Sequence, residues 1–474
     1  MKKSKKLWWA LCIGTGLLAF VLLWSHTYND IVITTRHGIN FWNILLNGQM
    51  LDFYNVNILP SGNLYYGAAQ GCAYNFLIYI VFALWNLPLY LLERFAGIDV
   101  MNAVPCLVYS KLLVVACLIV TIVLLKKILE ELKVPEQYHS LALFLYASGT
   151  VLITVVFICG QYDVLSLIFQ LLGFLAFVKG KDRAFVLWFG VAFCFKYFAA
   201  IIFLPLLILR HKKVMDWIKR LVPLLIPVLL TKLPFFIAGF FSHAEVSRAV
   251  ANAGSGGDNM AANFLINMLT SSNANEGVSL FVVAYGAVLV WCYLQDQKAE
   301  NMGARGAWVC MLAYGAFFGL MKAYPYWSVL VTPFAVLAIV TSPKQMYLNI
   351  ILETIGYAGL VGVNIIRYPW VYFGNTMKPM IWSRILDGSG FDLDFDGSRL
   401  YQLVEVAHTH PQLHAIVNSL FVVAVAAIAY TTYPNPAKTS VKKLPDPEDC
   451  RDVLVVRFLI NAVVCLLPIL SVFI

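Results

Sequence analysis

Charge is scarce in this chain. Asp, Glu, Lys and Arg make up 12% of its 474 residues, against 61% hydrophobic, and mean hydropathy is +0.77. That balance excludes an ordinary soluble domain, whose surface needs far more charge. The polar stretches are short enough to be loops. No small-residue cleavage site stands out after the first apolar run, so Lys2, Lys3, Lys5 and Lys6 are read as flanking a retained span rather than a signal peptide. The ten cysteines lack metal-ligand spacing. Cys12, Cys117, Cys194, Cys292 and Cys465 fall inside apolar runs and read as small core residues. No inverted repeat is apparent, which leans against a transporter built from two halves. The net charge of +9 sits in loops and reflects topology, not nucleic-acid binding.

Apolar runs are plentiful. They recur from Leu7 to Ile474, and a bilayer span needs about 20 such residues. The fold class is therefore all-α: one polytopic transmembrane helical bundle with about 11–15 membrane helices, some short or re-entrant, and amphipathic helices on its outer face. Basic clusters at Lys2–Lys6, Lys126–Lys133, Lys179–Arg183, Arg210–Arg220 and Lys438–Arg457 are placed on the cytoplasmic side, with the N-terminus. Parity then requires two hairpins of short helices: Tyr74–Ile98, broken near Asn86-Leu87-Pro88, and Ala184–Leu209, turning near Lys196. Irregular backbone at membrane depth is tolerated where protein or a cavity covers it, so both are expected to line an internal site. The first outer loop, 26–73, then shares a face with the Gly160-Gln161-Tyr162-Asp163 turn, the tip near Lys196 and the loop Ser242–Gly277. The Met321–Trp327 turn and the late outer loop, 367–411, join them.

Asp30 sits just past the first span, where a carboxylate suits a base acting on a lipid-tailed substrate or a cap for the helix that follows. Ile39 to Leu46 reads as an amphipathic helix on the membrane, anchored by Phe41, Trp42 and Leu45 and ended by Gly48. Lys111, Lys196 and Lys232 interrupt apolar runs and Lys322 sits at a span edge; few acids are available to pair with them, Glu353 being the clearest. A lipid phosphate neutralises several such cations at once, and snorkelling to an interface is the alternative. Snorkelling is the favoured reading for Lys111, and the phosphate for Lys196. Arg36 and His37 suit an anionic leaving group, although for a lone histidine such as His37 a structural hydrogen bond is the favoured reading. Gln161 and Asp163 suit sugar hydroxyls, with Asp163 alternatively an N-cap, and Tyr324 and Trp327 offer stacking faces. Ala253–Asn259 is a flexible linker. Asp392, Asp394 and Asp396 match the opening half of a calcium loop, but Leu403 stands where the closing acid belongs, so an exposed acidic turn is the default.

In order along the chain, several elements resemble the GT-C superfamily of integral-membrane glycosyltransferases. They are Asp30 after the first span, the Phe41-Trp42 stretch, Gly48, Phe53-Tyr54 and the Gly160–Asp163 turn. Gly190–Lys196 followed by Phe203-Leu204-Pro205, and Tyr324-Pro325-Tyr326-Trp327 with Pro333, complete the set. The likeness is to the polyprenol-phosphate-dependent mannosyltransferases. It is diffuse and covers roughly the first 340 residues. It implies an inverting hexosyl (mannose-like) transfer from a polyprenyl-phosphate-linked donor to a lipid or glycan acceptor, outside the cytoplasm. It implies an outer-loop acid as base, membrane lipids as surroundings and no nucleotide-sugar. No cofactor is required on this reading, although a divalent cation is compatible with it. The family often carries a second loop acid; here Asn29 stands beside Asp30, so the base is Asp30 or Asp163. The donor phosphate falls to Arg36, His37, Lys196 and Lys322. A lipid-linked saccharide flippase and a glycan ligase are the alternatives.

Overall fold

A computed structural model describes residues 2–55, 72, 74–241, 278–297, 301–369, 377–381, 399–434 and 445–470. Within them the chain is an all-α polytopic bundle. Four helices are long and apolar enough to cross a membrane, and three bent helix pairs raise this to seven if each pair is one span. Four shorter apolar helices, including Asp163–Val178 and Tyr197–Arg210, complete the apolar set among the described residues.

The first span is α1 (Lys2–Ser25). It runs into a short strand, β1 (His26–Tyr28), and then into α2 (Asn29–Leu46). Thus the helix after the first span begins at Asn29, ten residues before the expected Ile39. Ile31, Val32, Ile33 and Ile39 are all buried, so packing around more than one side of the helix prolongs it through the polar stretch. Phe41 is buried too, so it is a core residue and not a membrane anchor; Leu45 is exposed. A close approach at Gly38 locks α2 onto α3 (Phe76–Trp85), where a Cβ would stand 2.8 Å from the Phe82 carbonyl carbon. The next helix, α4 (Leu87–Ala96), bends 61° from α3 at Asn86, the break that Asn-Leu-Pro signals in the sequence.

The long span α5 (Val104–Glu131) packs on α8 (Asp163–Val178). Between them lie α6 (His139–Ala147), α7 (Thr150–Ile153) and a π-helical turn, Thr154–Cys159. That turn stops at Gly160, whose left-handed φ of +63° favours glycine. The Gln161 amide then reaches back to the Val155 carbonyl at 3.0 Å and closes the helix end. Lys111 of α5 sets this corner. It is fully buried, and its ammonium donates to the carbonyls of Leu23 (3.0 Å), His26 (2.8 Å) and Phe157 (2.7 Å). Lys111 therefore does not snorkel. Three carbonyl acceptors near two helix ends hold it inside and tie α1, α5 and the π turn together.

The hairpin expected at 184–209 is α9 (Asp182–Phe195) and α10 (Ala200–Arg210), with Lys196 extended between them (φ −152°, ψ 125°). Beyond it lie α11 (Val214–Leu224), α12 (Ile226–Phe241), α13 (Leu280–Leu294) and α14 (Met302–Leu320). A 3₁₀ segment, Pro325–Val331, leads into α15 (Thr332–Thr341) and α16 (Met346–Arg367). Strand β2 (Met377–Pro379) pairs antiparallel with β1, Thr27 opposite Lys378. The chain closes with α17 (Arg399–His408), α18 (Pro411–Thr431) and α19 (Arg451–Leu470).

The bundle has two distinct ends. The C-termini of α5 and α8 share one, because Lys179 pairs with Glu131 at 3.3 Å and the start of α14 abuts Leu132 and Val178. Arg210 and Arg220 meet Asp182 there, beside the Lys179–Lys181 turn. Asp30, Asp163 and Lys196 lie at the opposite ends of these helices. One cation counted in a basic loop belongs elsewhere. Arg457 lies inside α19, buried against Glu353, because the helix starts at Arg451 and carries it inward.

Candidate functional site

Asp30 is the second residue of α2 and lies in its first turn, not at its cap, so its charge is placed where helix amides favour an anion. The carboxylate is held from one side. Gln161 Nε2 donates to Oδ2 at 2.9 Å, and the Tyr74 hydroxyl donates to the same oxygen at 3.2 Å. No described group bonds Oδ1. Burial pushes the Asp30 carboxyl above the usual range, while the Gln161 bond, the Lys196 charge and the Tyr74 bond oppose that rise.

Asp163 opens α8 as its first helical residue and makes no capping bond. Its side chain is fully buried, and Oδ1 lies 3.0 Å from Lys196 Nζ. Oδ2 has no hydrogen-bond partner among the described residues. The acid that Lys196 lacked in the sequence is thus supplied 33 residues upstream, by the helix that packs beside α9. Lys196 keeps 10% of its side chain exposed. Four rings surround its ammonium: Tyr74 at 5.2 Å, Trp327 at 5.8 Å, Tyr162 at 5.9 Å and Tyr326 at 6.0 Å from the ring centres. A cation inside such a ring set is favoured by the π faces.

The aromatic wall is continuous. Tyr324 stacks parallel to Tyr326 at 5.8 Å and meets the Trp327 edge at 4.9 Å, and Phe198 packs on Trp327 at 4.2 Å. Tyr162 is fixed by the Thr34 hydroxyl, which donates to its oxygen at 3.2 Å. Behind the Lys196 break an apolar cavity of about 600 Å³ is lined by Phe193, Ala200, Ile201, Leu204, Phe281 and Tyr285, among others.

Asp30, Gln161, Asp163, Lys196 and Trp327 therefore converge, with Tyr324 one ring away. Three other candidates are engaged elsewhere or stand at the edge. Arg36 grips Glu93 of α4 with two contacts of 2.6 and 2.7 Å. His37 is buried, its Nδ1 3.1 Å from Cys72 Sγ and its ring against Tyr79. Lys322 is exposed on the turn before Tyr324. Lys232 stands over the Tyr197 ring at 5.4 Å, outside the cluster. Asp392, Asp394, Asp396 and the 253–259 linker lie outside the described residues. Among the described residues no group of three or more His, Cys, Asp or Glu is arranged to hold a metal. Sequence reasoning gave no role to Tyr74, Tyr162 or Tyr326. A tyrosine beside each quoted polar turn was the available signal, but its direction is set by tertiary packing.

A family model matches residues 102–380, more than half of the chain and the part that carries Gln161, Asp163, Lys196 and Trp327. The chain belongs to the EpsG family. No curated protein matches it. At a coarse level the family places the protein among membrane glycosyltransferase-like or polymerase-like proteins of polysaccharide synthesis. Asp30 and Tyr74 lie upstream of the matched EpsG segment, so the centre is assembled from both parts of the chain.

Proposed function

We propose that this EpsG-family protein is a GT-C-type inverting hexosyltransferase. It takes a mannose-like hexose from a polyprenyl-phosphate-linked donor and passes it to a lipid or glycan acceptor. The observation that carries the reading is the pairing of a half-fixed carboxylate with a caged ammonium. Asp30 Oδ2 is held by two donors while Oδ1 is left to accept a proton, and Lys196 stands beside it. The acceptor hydroxyl attacks the anomeric carbon and gives its proton to Asp30 Oδ1. The bond from that carbon to the phosphate oxygen breaks, and polyprenyl phosphate leaves with the electron pair. Lys196 meets the departing charge, with Lys322 at the entrance. Asp163 holds Lys196 in place until the phosphate arrives, which makes Asp30 the base and Asp163 its partner's anchor. Gln161, Tyr324 and Trp327 suit the sugar, by hydrogen bond and by stacking. The apolar cavity behind Lys196 suits the first isoprene units. Nothing in this scheme requires a metal. The basic end of the bundle faces the cytoplasm and the centre faces away from it.

Purified protein offered a polyprenyl-phosphate hexose and, separately, a nucleotide hexose decides the donor class, with products resolved by mass. Transfer from the lipid-linked donor alone is expected. Transfer from the nucleotide hexose, or movement of the intact lipid-linked saccharide across a vesicle with no new glycosidic bond, overturns the reading.

A further inference from the structure

Arg305 is anomalous among the buried cations. It is 5% exposed, yet Nε and Nη1 are buried with no hydrogen-bond partner among the described residues. Arg457, buried as deeply, has Glu353 and three further acceptors. A guanidinium taken out of water and left without an acceptor is costly, and an unpaired one is the expensive case.

Its surroundings suggest what completes it. Arg305 lies in the first turn of α14, where the free amides add positive partial charge. Lys212 stands nearby, with its ammonium on the carbonyls of Ile208, Leu209 and Cys292. Arg305 and Asp296 both lie close enough to Lys212 to act on its ammonium. One turn along α14, Trp308 meets Trp291 at 4.7 Å and Tyr433 at 5.4 Å. Tyr293 and Tyr433 of this patch are half exposed. Such Trp and Tyr clusters mark headgroup depth in a bilayer. The 19 residues of α14, about 28 Å of helix, carry the chain from here to the Tyr324–Trp327 wall, so the two sites lie at opposite ends of that helix.

We propose that Arg305, assisted by Lys212 and the α14 amides, is a phosphate site that takes the headgroup of an anionic phospholipid on the basic face of the bundle. The aromatic patch selects the lipid source over free phosphate. The site is separate from the glycosyl-transfer centre and does not depend on the role given to it.

Thermal unfolding of the detergent-purified full chain tests this with three additives: phosphatidylglycerol, phosphatidylcholine and inorganic phosphate. Phosphatidylglycerol is expected to raise the wild-type Tm by about 3 °C or more over phosphatidylcholine, since a ligand bound only by the folded state stabilises it. Arg305→Gln is expected to lose that increment, Arg305→Lys to keep part of it, and Lys213→Gln, an exposed cation of the same end, to keep all of it. An equal increment from inorganic phosphate keeps the anion site but overturns the lipid assignment. A wild type indifferent to both anions overturns the proposal. So does an Arg305→Gln variant, or an Arg305→Lys variant where Gln does not fold, that responds no differently from Lys213→Gln.

Discussion

Two ion pairs are buried among the described residues of this bundle, and they are built for different ends. Glu353 and Arg457 meet with two contacts, and every remaining direction is filled. Arg457 also donates to Ser148 at 3.0 Å, Thr354 at 2.9 Å and the Leu145 carbonyl at 2.8 Å. Asn461 adds bonds to the Ser148 carbonyl and Thr150 at the break between α6 and α7. This pair is a closed knot joining α16, α19 and that break. Asp163 and Lys196 meet with one contact, one carboxylate oxygen is unbonded, and the ammonium faces rings instead of acceptors. A complete pair fixes a fold; an incomplete one leaves room for a ligand to complete it.

The largest effect is expected at the closed knot. Arg457→Met strands Glu353 in the core and is expected to cost about 3–5 kcal/mol of stability. The double change Glu353→Leu with Arg457→Met is expected to recover most of that, since an apolar pair of similar volume replaces the ions. Denaturant or thermal unfolding of both variants checks it. An Arg457→Met variant as stable as wild type breaks the contrast drawn between the two pairs.

Next comes Asp30, where the effect is on turnover and not on folding. Asp30→Asn keeps the shape and removes the base, so turnover is expected to fall by about 10²-fold or more. The sign of the stability change follows from linkage. Burial raises the Asp30 carboxyl above its unfolded value, so its contribution to stability is fully present below the unfolded value and is lost as pH rises through the folded one. At neutral pH the Asn variant is therefore expected to unfold no earlier than wild type. The same shift moves the acid limb of the wild-type pH–rate profile above that of an unperturbed Asp. Near-normal turnover in the Asn variant removes Asp30 from the chemistry and makes Asp163→Asn the next test.

Much of the fold was legible because it is written locally. Asn-Leu-Pro marks the α3–α4 break, and a lysine between two short apolar arms marks the α9–α10 break. The pairings were not legible, because they join residues far apart in sequence. Lys196 finds Asp163 across two helices, and Glu353 finds Arg457 at a distance of 104 residues. Arg457 reads as part of a basic loop because charge density along the sequence carries no helix register. Arg36 and His37 read as available to an anion because their partners, Glu93 and Cys72, are reached only when α2 folds against α4 and the chain before α3. The half-fixed carboxylate of Asp30 depends on Gln161, 131 residues away.

Lys196 tests the open pair directly. Lys196→Met removes the charge that the scheme needs and is expected to slow turnover and weaken donor binding together, whereas Lys196→Arg restores charge without the same reach and is expected to recover part of both. Its stability cost is expected to be smaller than that of Arg457→Met, because the partner carboxyl can take a proton in place of the lost cation. Donor affinity and rate both unchanged in Lys196→Met place the phosphate elsewhere.

The smallest effect is expected at Arg36, and it sharpens the distinction between a cation that binds substrate and one that braces the fold. Arg36 and Glu93 are each about a third exposed, 31% by side chain. Exposed pairs of this kind contribute about 0–1 kcal/mol, and the two-contact geometry places this one toward the upper end. Arg36→Gln is therefore expected to lower stability by no more than about 1 kcal/mol and to leave donor KM and turnover near wild type. Glu93→Gln is expected to behave alike, since either change breaks the same brace. If Arg36→Gln weakens donor binding while Glu93→Gln does not, the guanidinium reaches the phosphate in the working enzyme, and the brace seen between α2 and α4 is a resting arrangement that the donor opens.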